Sequence, residues 1–221
     1  MRTTVEKYRE QPVEVRIGHL RLQGILGLPL RPAGVVLFAH GSGSGRLSPR
    51  NTLVARTLQQ GGFATLLLDL LEEEEEAEDR RKVFDIDLLA DRLLGAREWL
   101  GKEPRTRGLH VGYFGASTGA GAALQAAARK PEAVAAVVSR GGRPDLAAPF
   151  LPRVTAPTLL IVGELDTPVI EMNEEAYQQL PCAKELVIVP GASHLFEEPG
   201  TLEQVAGLAL DWFQRHMPNS A

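Results

Sequence analysis

Leu109-His110-Val111-Gly112-Tyr113-Phe114-Gly115-Ala116-Ser117-Thr118-Gly119 runs straight into the alanine-rich segment Ala120–Arg129, and this junction decides the architecture. The first six residues are an apolar run of strand length, and the alanine-rich segment has helix composition. Between them stands Gly-x-Ser-x-Gly. A serine at the tip of a sharp strand-to-helix turn presents its hydroxyl to solvent, but only where its neighbours are small enough for the two backbones to approach closely. Gly115 and Gly119 supply that room, and Gly121 and Ala122 keep the following turn thin. A serine can also merely cap a helix; the glycines on both sides favour the strained turn.

Working outward, two further strand ends carry chemistry. Thr158-Leu159-Leu160-Ile161-Val162 ends in Gly163-Glu164-Leu165-Asp166, with Pro168 beyond, and Glu185-Leu186-Val187-Ile188-Val189 ends in Pro190-Gly191-Ala192-Ser193-His194. The carboxyl ends of parallel strands line one crevice, so serine, acid and histidine reach the same edge. The expected roles are Ser117 as nucleophile, His194 as general base and Asp166 as the acid that holds the imidazole. Glu164, at the same strand end, and the more remote Asp145 are the rival acids. Val35–Ala39 is another buried strand, and His40-Gly41-Ser42-Gly43-Ser44-Gly45 follows it. Backbone N–H groups of such a loop can face an oxyanion together with the N–H after the nucleophile. The expected donors are Thr118, Ser42 and, second in the loop, Gly43. His40 is expected to brace this loop by hydrogen bonding. His19, His110 and His216 lack any comparable context and read as surface or core residues.

The rest of the chain fits one fold class. Val13–Ile17 and Leu20–Leu28 alternate about Gly18-His19 and read as an antiparallel edge hairpin. Beyond Pro32 the strands become continuously apolar and alternate with helical stretches, the pattern of a parallel sheet covered on both faces. Strands are expected at 34–39, 63–69, 108–114, 133–139, 157–162 and 184–190, and helices near 50–61, 84–101, 117–130, 168–180 and 201–215. The expectation is an α/β fold of about eight strands, mostly parallel, forming one domain over residues 1–221 with no large cap. Glu72–Glu76, with Glu78 and Asp79, reads as a solvated loop leading into a helix; no histidine or cysteine nearby suggests a metal.

The Gly115–Gly119 pentapeptide, Asp166 and Gly191-Ala192-Ser193-His194, in this order of elements, resemble the dienelactone-hydrolase-like branch of the α/β-hydrolases along nearly the whole chain. His40–Ser44 with Ser48-Pro49-Arg50-Asn51, and Ser139-Arg140-Gly141-Gly142-Arg143-Pro144-Asp145, resemble a narrower subgroup whose members occur alone or fused to a phosphoribosyltransferase domain. The resemblance implies a hydrolase whose triad is Ser117, Asp166 and His194. Dienelactone hydrolase itself uses cysteine where this chain has Ser117, so its substrate is not carried over. The expected substrate is a small or short-chain carboxylic ester, with no cofactor and no metal. Acyl transfer or thioester cleavage on the same triad, and a non-catalytic binding protein of the same fold, stay open.

Composition narrows the partners. The 221 residues carry a formal net charge of −4, which argues against nucleic acid as a partner. Cys182 is the only cysteine, so no disulfide can form within the chain. Met1–Lys7 shows no apolar leader core, and no apolar run approaches the roughly 20 residues of a membrane span; a cytoplasmic protein without membrane contact is expected. An edge strand or the last helix could support a homodimer. The loop Gly41–Arg46 fails both nucleotide patterns, since Arg46 replaces the last glycine of G-x-G-x-x-G and no Lys precedes a Ser or Thr. Arg46, Arg50, Arg140 and Arg143 cluster in two loops of the same crevice. They either tie loops together or present guanidinium forks to a carboxylate- or phosphate-bearing substrate.

Overall fold

The computed structural model describes residues 8–217; Met1–Lys7, where the sequence reading sought a leader, lie outside the described residues. Eight strands form one sheet: β1 (Tyr8–Ile17), β2 (Leu20–Pro29), β3 (Val35–Ala39), β4 (Ala64–Leu68), β5 (Val111–Ala116), β6 (Ala136–Arg140), β7 (Thr158–Gly163) and β8 (Lys184–Val189). Their spatial order is β1-β2-β4-β3-β5-β6-β7-β8. The β1–β2 and β2–β4 pairs are antiparallel, and every other pair is parallel. Among the described residues six α-helices, besides short 3₁₀ segments, flank the sheet: α1 (Pro49–Gln60), α2 (Glu73–Glu78), α3 (Ile86–Lys102), α4 (Thr118–Arg129), α5 (Thr167–Gln179) and α6 (Thr201–His216).

The continuously apolar strands are buried on both sides, and their alternation divides the core. Val35, Leu37 and Ala39 of β3 pack in one layer with Leu89, Leu93 and Ala96 of α3 and the alanines of α4. Val36 and Phe38 point the other way, among Val54 and Leu58 of α1 and Val205, Trp212 and Phe213 of α6. Local signals set the helix starts. Ser48 caps α1 ahead of Pro49, accepting from Asn51 N–H at 3.4 Å. Asp85 caps α3 by accepting from Leu88 N–H at 3.0 Å. Small residues in α4 are a packing requirement, because every residue from Thr118 to Ala128 is buried.

Two departures from the sequence reading have physical causes. The hairpin is longer than expected, because β1 begins at Tyr8 and runs through Pro12; on an edge strand the missing N–H of proline is tolerated. The glutamate run is α2 rather than a solvated loop. Glu72 and Glu75 form a capping box, Glu72 also accepts from the β2 amide of Arg21 at 2.7 Å, and Glu75 pairs with buried Arg92 of α3 at 2.6 Å. The segment Pro144–Arg153 is a run of 3₁₀ turns that packs on α4 and α5. Among the described residues no insertion of cap size covers the carboxyl edge of the sheet, and no helix is long and apolar enough to cross a membrane.

Candidate active site

β5 and α4 meet at Ser117, which adopts φ 50° and ψ −122°, a region that residues with a side chain rarely visit. The turn is locked by backbone bonds. Ser117 N–H donates to Arg140 O at 3.2 Å, and Ser117 O accepts from Ala120 N–H at 3.0 Å and Arg143 N–H at 3.1 Å. The flanking glycines are sterically required. A Cβ on Gly119 would run into the carbonyl oxygens of Ala39 and His40, and one on Gly115 into the backbone of Ala120.

His194 and Asp166 arrive from β8 and β7. Asp166 Oδ2 lies 2.6 Å from His194 Nδ1, with the carboxylate side chain 13% exposed and the imidazole 38%. Of the rival acids, Glu164 instead accepts Gly191 N–H at 2.7 Å, and Asp145 makes a double hydrogen bond to Arg143 at 2.7–2.8 Å. Two features of the histidine loop are invisible in the local sequence. Glu198 accepts Ser193 N–H at 3.0 Å, and that bond holds its carboxyl below the usual range. Phe196, at φ 55°, drives its ring into the α1–α6 core and is 1% exposed.

Ser117, His194 and the loop after β3 converge on one cleft of about 260 Å³, lined by Gly41, Ser42, Ser44, Arg50, Ala116, Arg140 and Leu195 besides. Among the described hydrogen bonds none joins Ser117 to His194; in ligand-free triads that contact is often long and tightens with substrate. The loop itself is pinned. Leu70 N–H donates to His40 Nε2 at 3.0 Å, which leaves Nδ1 to donate to Gly41 O at 3.0 Å. Ser42 N–H donates to Thr118 Oγ1 at 3.1 Å, so the first expected oxyanion donor already has a partner. Gly43, at φ 69°, serves a turn closed by Ser44 N–H on Gly41 O at 3.2 Å and does not line the cleft.

The four arginines separate. Arg46 ties its loop to Asp69 through backbone and side chain, and Arg143 is held by Asp145; neither lines the cleft. Arg50 and Arg140 do. Among the described residues no group of three or more His, Cys, Asp or Glu side chains converges as a metal site requires.

Comparison with known proteins places this geometry. Two Mycobacterium tuberculosis proteins, from strains CDC 1551 and H37Rv, are each 58% identical over 209 residues, covering 95% of this chain and 47% of the relative; both are named phosphoribosyl transferases. The chain thus spans about half the length of the curated relatives it matches. A crystal structure described as dienelactone hydrolase from Anabaena variabilis shares 60% identity, covers 95% of this chain and 99% of that one, and superposes with a TM-score of 0.92. Est1E from Butyrivibrio proteoclasticus shares the fold at 16% identity, with a TM-score of 0.79 over 93% of this chain and 98% of its own. The dienelactone hydrolase family model aligns with residues 22–216, from the second strand to the end of the last helix. On that span, and on the identity to a solved relative along nearly its full length, the chain belongs to the dienelactone hydrolase family.

Proposed function

We propose that the chain is a serine hydrolase of small carboxylic esters. The carrying observation is the 2.6 Å bond from His194 to Asp166, with His194 lining the same cleft as a serine held at φ 50°. In this reading Asp166 fixes the imidazole with its proton on Nδ1, leaving Nε2 to accept the Ser117 proton as Oγ attacks the carbonyl carbon. The tetrahedral oxyanion takes the Thr118 N–H and one loop N–H. Ser42 supplies the latter by exchanging the Thr118 hydroxyl for the oxyanion, and Gly43 keeps the loop in shape. His194 returns the proton to the departing alkoxide, and water then attacks the acyl-enzyme by the same route.

The phosphoribosyl transferase name belongs to relatives about twice as long, of which this chain spans 47%. The test is turnover of p-nitrophenyl acetate and labelling by a fluorophosphonate probe. Wild-type protein should do both, and Ser117→Ala should lose both, with turnover down by about 10⁴-fold or more. Labelling that persists in the variant would assign the nucleophile elsewhere.

A further inference from the structure

Arg140 is the most unusual side chain in the cleft. It stands at the carboxyl end of β6, one strand over from Ser117, and is only 7% exposed. Ala136 and Val138 of the same strand face the α1–α6 layer, and alternation turns Arg140 to that side, where α1 brings Arg50. Nε and Nη1 of Arg140 are buried without a hydrogen-bond partner, and so is Nε of Arg50. Burial, reinforced by the charge of Arg50, lowers the Arg140 pKa to about 10, so the group is still a cation at neutral pH. The residues lining the cleft include no aspartate or glutamate. The nearest carboxylate to Arg50, Glu197, is 64% exposed and sits 3.5 Å from Arg50 Nη1, at the limit of a hydrogen bond. Two guanidinium groups thus line one cleft, and one of them is desolvated without a counter-ion. Such a charge is costly unless something anionic completes it.

We infer that Arg140 and Arg50 form an oxyanion-binding subsite beside Ser117, so that the preferred ester carries a carboxylate or phosphate close to its scissile bond. The guanidinium forks match both groups. This rests on the reading of Ser117 as nucleophile and adds the substrate class to it. Arg140 and Arg50 position the substrate; they take no part in bond making.

Two pairs of esters test it, each pair setting a free carboxylate against its neutral methyl ester. 4-Nitrophenyl hydrogen adipate against its methyl ester puts the anion on the acyl side, and 4-acetoxybenzoate against methyl 4-acetoxybenzoate puts it on the alcohol side. The expected result is that kcat/KM favours the anion in at least one pair by about 10–100-fold, and that Arg140→Met and Arg140→Lys collapse that ratio. The lysine variant keeps charge and stem should the methionine variant not fold. In the Ser117→Ala protein, inorganic phosphate or benzoate should raise Tm, and adding Arg140→Met should abolish the rise. Equal turnover of anionic and neutral partners in both pairs, or losses in proportion on both, would overturn the subsite. If no ester is turned over at all, the nucleophile reading fails first, and the absence of any Tm rise with either anion then removes the subsite as well.

Discussion

Asp166 shows how much can hang on one side chain. It is largely buried, it touches His194 at 2.6 Å, and its backbone carbonyl starts α5 by accepting from Val169 and Ile170 N–H at 3.0 Å. An amide in its place keeps the shape and the helix start but offers Nδ1 a partner that can itself donate, which favours the wrong tautomer. Asp166→Asn should therefore fold normally and lower kcat on p-nitrophenyl acetate by about 10³–10⁴-fold; a loss under tenfold would move the acid's role to another residue. At this scale the convergence of Ser117, Asp166 and His194 was legible, because each follows a strand end in a fixed chain order. The arginines were not. Pairing of Arg46 with Asp69 and of Arg143 with Asp145, against the isolation of Arg140, depends on which face each occupies, and adjacency in sequence does not carry that.

At the scale of elements, two glycines make opposite demands. Gly119 begins α4 against the Ala39 and His40 carbonyl oxygens, backbone atoms that cannot rotate away. Gly207 lies in α6 with open space around its missing Cβ. Gly119→Ala should destabilise by about 1–3 kcal/mol or more, whereas Gly207→Ala should stabilise by up to about 1 kcal/mol; urea midpoints compare them directly. The end of α6 also carries a pH dependence. Burial, then the charge of Arg215, holds the His216 pKa below the ordinary imidazole value, while its ring packs against Trp212 at a 50° tilt with centroids 4.2 Å apart. Just below that ordinary value the unfolded chain binds a proton that the folded one refuses, so stability falls as pH falls through this window. His216→Gln should accordingly lose less stability than wild type between about pH 8 and pH 5.5, and equal losses would remove the effect. The regular elements were readable to within a few residues. The helix of glutamates was not, because its partners Arg92 and the Arg21 amide come from α3 and β2, distant in sequence.

The whole molecule determines what can enter. Six strands run parallel from β4 to β8, so the loops after β3, β5, β6, β7 and β8 all gather at one edge, and this alone brings Ser117, Asp166 and His194 together. The antiparallel β1–β2 hairpin extends the sheet on the opposite side from β8. Among the described residues nothing large folds over the active edge; the exposed Leu165 and Leu195 rise beside the acid and the histidine, 64% and 38% exposed. The cleft of about 260 Å³ falls just under the range of about 300–1,000 Å³ typical for drug-sized ligands. A short acyl group fits within it. A long chain must leave over the rim, where its methylenes stay in water and gain none of the roughly 0.8 kcal/mol each that burial would supply. Each added carbon beyond the cleft then brings ordering cost without matching gain. In the neutral series p-nitrophenyl acetate, butyrate and octanoate, kcat/KM should peak at acetate or butyrate and fall by about tenfold or more at octanoate. A profile rising to octanoate would mean that Leu165, Leu195 and their surroundings close over the chain, giving the bound state a covered groove that this architecture does not display.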